Sequence, residues 1–556
     1  MGPLERDFTS LPLGAQHPTE EWDDMASSSR NVVNLDALIQ RADLLSPAST
    51  VTGKTHAIRI SDLQTDSAIY DMLRKPDFQR ETANWSPQQV AILIQTFAEQ
   101  DLIPSMILWQ NGPHIFVVDG AHRLSALVAW VRDDYGAGVM SQSYFRTISS
   151  HQRAMHDKTR ELVAGSVGPW EKFRATNSAF MVKGLDAQWI ENREPQQVAE
   201  AFIRINRGGT EIDALEVRIV RAPRAALSVT TRAITRGGGG HSYWQHFTDA
   251  AARERVPKLG AEIYDLLFHP PLETPIKTMD VPLAGSEYNL GVVRLAFDLV
   301  ALTNNIPVPD STRRSASTAD KPPPDDISGE DTVKYLHITL RKLRLILSNH
   351  KSSLGLHPAL YFYTAGGSFQ PAALLNMIAW LDDLEKEGRL DVFRKQRGAF
   401  ETLLLAHPVI VKPATHKLGS GARTRKRMLA LFNKVLGLLE ANSGRGPEWA
   451  AGRTWNMLQN EFPHLASDER EQAEEGEGAQ AGAKFTGKAK SAATFADLAS
   501  VPRCALCGGL LHRNGKTLDH SVKRADGGSS GKGNRRWVHP RCNSERDKDE
   551  RGEQKT

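Results

Sequence analysis

Cys504-Ala-Leu-Cys507 and, 32 residues after its second cysteine, His539-Pro-Arg-Cys542 hold all three cysteines of this 556-residue chain. Each knuckle offers two N/S donors, and two such knuckles make the four-ligand tetrahedral set that zinc favours. An odd cysteine count in a chain whose amino terminus lacks a basic-then-apolar signal argues against a disulfide framework and for metal ligation. Cys504, Cys507, His539 and Cys542 are therefore the predicted ligands of a structural Zn2+. The bland alternative is three unligated thiols clustered by chance.

Leu518-Asp519-His520 stands between the knuckles, followed by Gly527-Gly528 and Asn534, and Asn543 follows the last cysteine. This order of residues resembles the HNH endonuclease family: a cysteine pair, Asp-His, a Gly-Gly turn, Asn, a second metal pair and a closing His or Asn. The resemblance covers about 40 residues and implies a small ββα-metal nuclease domain, predicted over 498–556. His539 stands where many members have cysteine, and Asn543 where the family name expects its last His.

Elementary chemistry gives the same residues the same roles. Phosphodiester hydrolysis needs a base to deprotonate water and a divalent cation to stabilise charge on the phosphate. His520 is the expected base, and Asp519 and Asn543 are the expected oxygen ligands of Mg2+ or Mn2+, which prefer hard donors. Asn534 is expected to orient the His520 loop through hydrogen bonds. From Val501 to Thr556 there are 13 Lys/Arg against 7 Asp/Glu. This local excess of cations suits a phosphate-binding surface better than the +4 spread over the whole chain does. A zinc module that only contacts DNA, with Asp519 and His520 as ordinary surface residues, is the alternative.

Upstream, residues 467–497 are mostly Glu, Gln, Gly, Ala, Lys and Ser, with Phe485 and Phe495 as the large apolar residues. Such a composition buries too little surface to order itself, so it reads as a flexible linker. Residues 227–466 carry apolar residues at helical spacing around 292–301, 332–347, 372–387 and 427–440, interrupted by a predicted loop from Pro307 to Gly329, and read as a helical domain. Within it, Lys412 to Arg427, with His416, Lys417, Arg423, Arg425, Lys426 and Arg427, is either a DNA-gripping stretch or a solvated basic face. His241, His246 and His357 read as structural.

Short apolar runs alternate with helical segments over 56–226, as in an α/β or α+β domain. Its informative stretch is Val117-Val-Asp-Gly-Ala-His-Arg-Leu-Ser-Ala126, a strand running into a helix whose first turn carries His122 and Arg123. A helix start presents free N–H groups, and an arginine there makes a phosphate cradle. Pro76-Asp-Phe-Gln-Arg80 and Trp85 precede it, and Phe202-Ile-Arg-Ile-Asn-Arg-Gly-Gly-Thr210 follows, with Glu216-Val-Arg218 beyond. Together these resemble the ParB/sulfiredoxin-like domain of GmrSD-type and SspE-type prokaryotic restriction proteins, over Ile58 to Arg221. The second motif reads Asp-Gly-Ala-His-Arg here in place of Asp-Gly-Gln-Gln-Arg. The resemblance implies binding and hydrolysis of a nucleoside triphosphate, GTP or ATP, coupled to sensing of foreign or modified DNA. Gln79, Arg80, Asp119, Gly120, His122 and Arg123 are the nucleotide-binding candidates. Gly53-Lys54-Thr55 ends a loose P-loop pattern, but the strand-like Ala57 to Ile60 follows it instead of preceding it, so it is set aside.

Residues 1–55 read as a polar, loosely attached leader with a short helix around Asn34 to Leu45. No run approaches the length of a spanning helix, and the default address is the cytoplasm. The whole is a multidomain chain: an α/β domain, a mainly helical middle and a small zinc-bound ββα domain. Its expected function is that of a restriction or anti-phage endonuclease whose HNH cutter is controlled by a nucleotide-binding sensor. Its expected partners are double-stranded DNA, modified DNA included, a nucleoside triphosphate and, as a candidate, a second copy of itself. A nucleotide-independent HNH nickase with a DNA-clamping first domain, or a ParB-like binding protein with an inactive zinc module, are the alternatives.

Overall fold

The computed structural model describes residues 32–43, 54–76, 85–206, 214–287, 291–307, 322–410, 422–461 and 484–553. Six strands build a mixed sheet near the amino terminus: β1 (Arg41–Ala42), β2 (Ala57–Arg59), β3 (Leu73–Pro76), β4 (Met106–Asn111), β5 (His114–Asp119) and β6 (Gly184–Ile190). Their order is β1-β3-β5-β4-β6-β2. The apolar run in β5 explains its near-central place. Ile115 and Val117 face one hydrophobic cluster while Phe116 and Val118 face another, so the strand is covered on both sides. Helices α1 (Pro87–Ala98) and α2 (Ala121–Arg132) supply the first cover, through Val90, Ile94, Leu124 and Leu127. Helices α3 (Pro195–Asn206) and α4 (Ala214–Arg221) supply the second, through Val198, Phe202, Ile203 and Val220.

Within the expected loose leader, residues 32–43 are built into the sheet domain, while 1–31 and 44–53 lie outside the described residues. Val33, Leu35, Leu38 and Ile39 are buried in the first cluster, and Arg41–Ala42 pairs in parallel with Lys75–Pro76 as the sheet's edge. The expected helix there is only a 3-10 turn at Asp36–Leu38. A chain this short shows no periodicity of its own, because the sheet beside it dictates its shape.

The middle of the chain folds around one large core. It is lined by α5 (Ala226–Thr235), α6 (Ala250–Phe268), α7 (Val292–Thr303), α8 (Glu330–Ile346), α9 (Pro371–Lys386), α10 (Leu390–Ala406), α11 (Ala422–Ala441) and α12 (Pro447–Glu461). Of the predicted Pro307 to Gly329 loop, 308–321 lie outside the described residues, as do 411–421 of the basic stretch.

The linker reading needs correcting in its last third. Residues 462–483 lie outside the described ones, but α13 (Gly487–Ala496) is a helix that buries Phe495 in the helical core, with Leu498 just beyond it. Ser491 Oγ accepts the Ile276 backbone N–H at 3.0 Å and Thr494 Oγ1 donates to the Ile276 carbonyl at 2.9 Å. Two buried apolar side chains and two hydrogen bonds dock a segment whose composition alone reads as uncommitted.

The carboxyl-terminal module is a two-stranded antiparallel hairpin, β7 (Thr517–His520) and β8 (Arg535–Val538), followed by α14 (Pro540–Glu553). It packs on the helical body. A Cβ on Gly355 would lie 2.5 Å from the Gly515 carbonyl oxygen, Arg541 N–H donates to the Ser353 carbonyl at 3.0 Å, and Asn514 Nδ2 donates to the His269 carbonyl at 2.8 Å. Among the described residues, no helix is long and apolar enough to cross a membrane.

Candidate functional site

The two knuckles close on each other. Donor atoms of Cys504, Cys507, His539 and Cys542 all lie within 4.8 Å of one another, and all four residues are buried. The first knuckle is a tight turn in which Gly508 N–H donates to the Cys504 carbonyl at 2.9 Å and Cys504 N–H to Gly509 at 2.7 Å. Gly508 has φ +72°, a conformation glycine adopts without strain. His539 Nε2 lies 3.0 Å from the Leu510 carbonyl, and Nδ1 lies 3.3 Å from the Cys507 sulfur. A proton on Nε2, donated to Leu510, leaves the Nδ1 lone pair facing the thiols, as ligation requires. Contact with the Cys504 sulfur, then burial, pushes the Cys542 thiol up to about 12, while sulfur contacts from Cys507 and Cys542 hold Cys504 low. Crowded thiols that cannot all ionise alone suit a divalent metal, so the donor set fits zinc.

A cation from the helical body completes the centre. The fully buried Arg397 places Nη1 3.3 Å from His539 Nδ1, donates Nη2 to the Gly355 carbonyl at 3.0 Å, and pairs Nε with Glu401 Oε1 at 2.6 Å. Three thiolates and a neutral imidazole around Zn2+ carry a net negative charge, which this guanidinium offsets. The adjacent buried histidines, His357 and His512, stack edge to face at 5.3 Å, and burial lowers both.

The staple holds the hairpin that carries Asp519 and His520. Asp519 points inward, 8% exposed, and accepts from its own neighbour's backbone N–H (His520) at 2.8 Å and from Arg536 Nε at 2.9 Å. Arg546 Nη1 lies 3.3 and 3.4 Å from the two Asp519 oxygens. His520 is half-buried, and its imidazole has no hydrogen-bond partner among the described residues. Asn534 ties the following loop to itself: Nδ2 donates to the Val522 carbonyl at 2.9 Å and to the Ser529 carbonyl at 2.7 Å, while Oδ1 accepts from Val522 N–H at 2.5 Å. A Cβ on Gly528 would meet the Val522 carbonyl at 1.9 Å, which is why this turn needs glycine. Asn543 lies in the first turn of α14, three residues before Arg546 and so on the side of the helix whose guanidinium reaches Asp519. One carboxylate and one amide oxygen are the hard donors a Mg2+-like ion takes, completed by water.

At the other end of the chain, the strand-to-helix turn forms as the sequence leads one to expect. Gly120 has φ +96° and would clash with Met106 Cγ at 2.8 Å if it carried a Cβ. Arg123, the phosphate-cradle candidate, is paired with Asp119 at 2.8 Å and donates to the Ser105 carbonyl at 3.3 Å. His122 stacks on Trp85 at 5.5 Å. Gln79 and Arg80 lie outside the described residues, as do 207–210 of the third motif. Lys54, of the discarded P-loop pattern, forms an exposed ion pair with Glu191. His241 pairs with Asp43 at 3.0 Å.

Two features were not singled out from the sequence. A groove of about 600 Å³ runs between β6 and α3, lined by Gln188, Trp189, Arg193, Gln197 and Arg204; Arg204 belongs to the third motif, which was the available clue. Buried Asp36 is clasped by Arg41 and Lys75, both at 2.7 Å, with the Tyr144 hydroxyl at 3.2 Å. Arg41 and Lys75 come from segments far apart in sequence, so no local pattern marks the cluster.

Residues 60–221, under a third of the chain, match the sequence model of the GmrSD restriction endonuclease N-terminal domain. That span contains Asp119, Gly120, His122 and Arg123 and ends with α4. No curated protein and no solved structure matches the chain. The domain match supports a restriction endonuclease, a hydrolase for which DNA is the implied substrate.

Proposed function

We propose that the chain is a DNA endonuclease of a prokaryotic restriction system. In this reading the carboxyl-terminal ββα module is an HNH cutter, and the amino-terminal domain is a ParB/sulfiredoxin-like sensor that binds a nucleoside triphosphate. The observation that carries the reading is the hairpin closed by the Cys504, Cys507, His539 and Cys542 cluster, which carries Asp519 and His520 in succession at its strand end, with α14 reaching Asp519 through Arg546 and the intervening loop pinned by Asn534. The domain match at the other end supports the restriction context.

In this mechanism the unpartnered His520 imidazole takes a proton from the attacking water, which needs a neutral ring at working pH. Asp519 and Asn543 would hold a Mg2+ or Mn2+ ion, which stabilises charge on the phosphate and the leaving oxygen. Asn534 keeps the 521–534 loop from displacing His520. The zinc set takes no part in the chemistry and holds the hairpin against α14.

Control by the first domain requires nucleotide or DNA to bind two conformations unequally. Modified DNA as the sensed mark, GTP or ATP as the nucleotide, and self-association belong to the same proposal. The pairing of Arg123 with Asp119 favours a second reading, a nucleotide-independent nickase with a clamping first domain, since that cation is already matched.

One assay separates the two. Plasmid, with and without base modification, is incubated with the chain and Mg2+ or Mn2+, with each nucleotide in turn and with none. Nucleotide-dependent cutting that His520→Ala abolishes supports the first reading. Nicking indifferent to nucleotide supports the second, and undiminished cutting by His520→Ala places the nuclease centre elsewhere.

A further inference from the structure

The two strands of the terminal hairpin have unlike faces. Asp519 and Arg536 pair across the strands on the inner face, and Val538 is buried there. Side chains two apart share a face, so Leu518 and His520 of one strand lie with Arg535 and Trp537 of the other on the outer face, with Lys516 just before the strand beside them. Leu518 stands directly opposite Trp537, and His520 directly opposite Arg535. Leu518 and Trp537 are each 47% exposed, and Lys516 Nζ lies 4.8 Å above the Trp537 ring.

Resting on the nuclease reading, we propose that Leu518 and Trp537 are a wedge that inserts between base steps of duplex DNA and so presents the neighbouring phosphate to His520. The inner face already supplies the hairpin's packing, and this apolar cross-strand pair is left about half in water on the outer one. Its rim is cationic, with Lys516 and Arg535, and the hairpin strands' one acid, Asp519, is turned inward. That charge arrangement suits a phosphate-flanked groove and repels nothing in it. Apolar wedges of this kind unstack a base step and kink the duplex, which widens access to the backbone beside it. The same face carries the proposed base one residue pair further along, so wedge and base are held in fixed register by the ladder of β7 and β8.

The test uses the full chain with His520→Ala, which is to bind without cutting, and a short labelled duplex. Affinity is read by anisotropy and bending by energy transfer between the duplex ends, for this parent and with Trp537→Ala, Trp537→Phe or Leu518→Ala added. Trp537→Ala is expected to weaken binding about tenfold, the order of one lost aromatic stack, and to abolish the bend, while Trp537→Phe keeps most of both. Zinc content should stay at the parental value in every variant. Affinity and bend equal to the parent's in Trp537→Ala overturn the wedge alone, and would be the result if this face served a protein or a second copy. Zinc lost together with affinity also overturns it, since the ring would then be part of the fold. A parent that binds no duplex overturns the wedge and the nuclease reading together.

Discussion

Glu401, on α10 of the helical body, accepts the backbone N–H of Leu510, which lies just beyond the Cys504–Cys507 knuckle. The other oxygen of that carboxylate holds Arg397, which touches His539. The module that carries the Cys3His cluster is thereby wired into the helical core by a fully buried ion pair, with Tyr361 donating its hydroxyl to the same carboxylate at 3.0 Å. The cutter of the proposed function is a docked element, and its reach over DNA is set by the helical body.

Arg397→Ala should therefore destabilise the chain severely. It leaves Glu401 buried and unpaired, and breaking one partner of such a pair costs about 3–5 kcal/mol. Urea unfolding of wild type, Arg397→Ala and the double variant with Glu401→Ala measures this directly. The double variant is expected to recover part of the loss. A single variant as stable as wild type would mean that the seam contributes nothing to docking.

Zinc should be present at about one per chain, and its removal should unravel the hairpin before the sheet domain. Cys507→Ser is expected to lose metal and to become cleavable by protease within 504–546, with the amino-terminal domain still intact. Elemental analysis and timed proteolysis give both readings. Metal-free protein that keeps protease resistance at the knuckles would remove the case for a structural metal.

Asp36 predicts a specific acid sensitivity in the sheet domain. Despite burial, which acts to raise it, the charges of Arg41 and Lys75 hold this carboxyl well below its ordinary value of 3.8. The folded state thus binds the proton less readily than the unfolded chain. Its contribution is fully present above pH 3.8 and is lost as pH falls from there through the depressed value. Asp36→Asn should be less stable at neutral pH, because Arg41, Lys75 and Arg236 then face one another without its charge, and should show a shallower loss of stability in acid. Unfolding titrations of both proteins across the acid range would decide it, and parallel curves would remove Asp36 from the account.

What the sequence makes legible follows from how local each cause is. The four residues of the Cys3His cluster sit in two knuckles, and the Gly120 turn is fixed by its own φ and by Met106, so short stretches of residues carry the information. Residues 32–43 escape because their shape comes from Lys75 and Pro76 across the sheet. Phe495 escapes because one aromatic in a polar stretch looks uncommitted until the helical core receives it. Arg397 is a lone arginine in an amphipathic helix, and nothing near it in sequence names His539 as its neighbour. The inward partners of Asp519 were likewise hidden, since Arg536 and Arg546 look like two more cations in a basic tail.

Arg546 supplies the sharpest test of the hydrolytic site. It reaches the Asp519 carboxylate, and it also donates to the main-chain carbonyls of His520 at 2.5 Å and Ser521 at 2.7 Å. A guanidinium and a divalent cation compete for the same oxygens, so an ion bound at Asp519 must share the carboxylate or displace Arg546. Arg546→Ala removes the competitor and should lower the Mg2+ or Mn2+ concentration for half-maximal cleavage about tenfold, as expected for loss of a charge-assisted contact of roughly 1.5 kcal/mol. The maximal rate should fall at the same time, because the strand end at His520 loses two of its hydrogen bonds. Arg546→Lys, which keeps the charge but loses the fork that spans both carbonyls, should retain the wild-type metal requirement while sharing the lower rate. Metal titrations of plasmid cleavage, with zinc content checked in each variant, separate the two effects. An unchanged metal requirement in Arg546→Ala would mean that Arg546 is a staple alone and that Asp519 holds no ion.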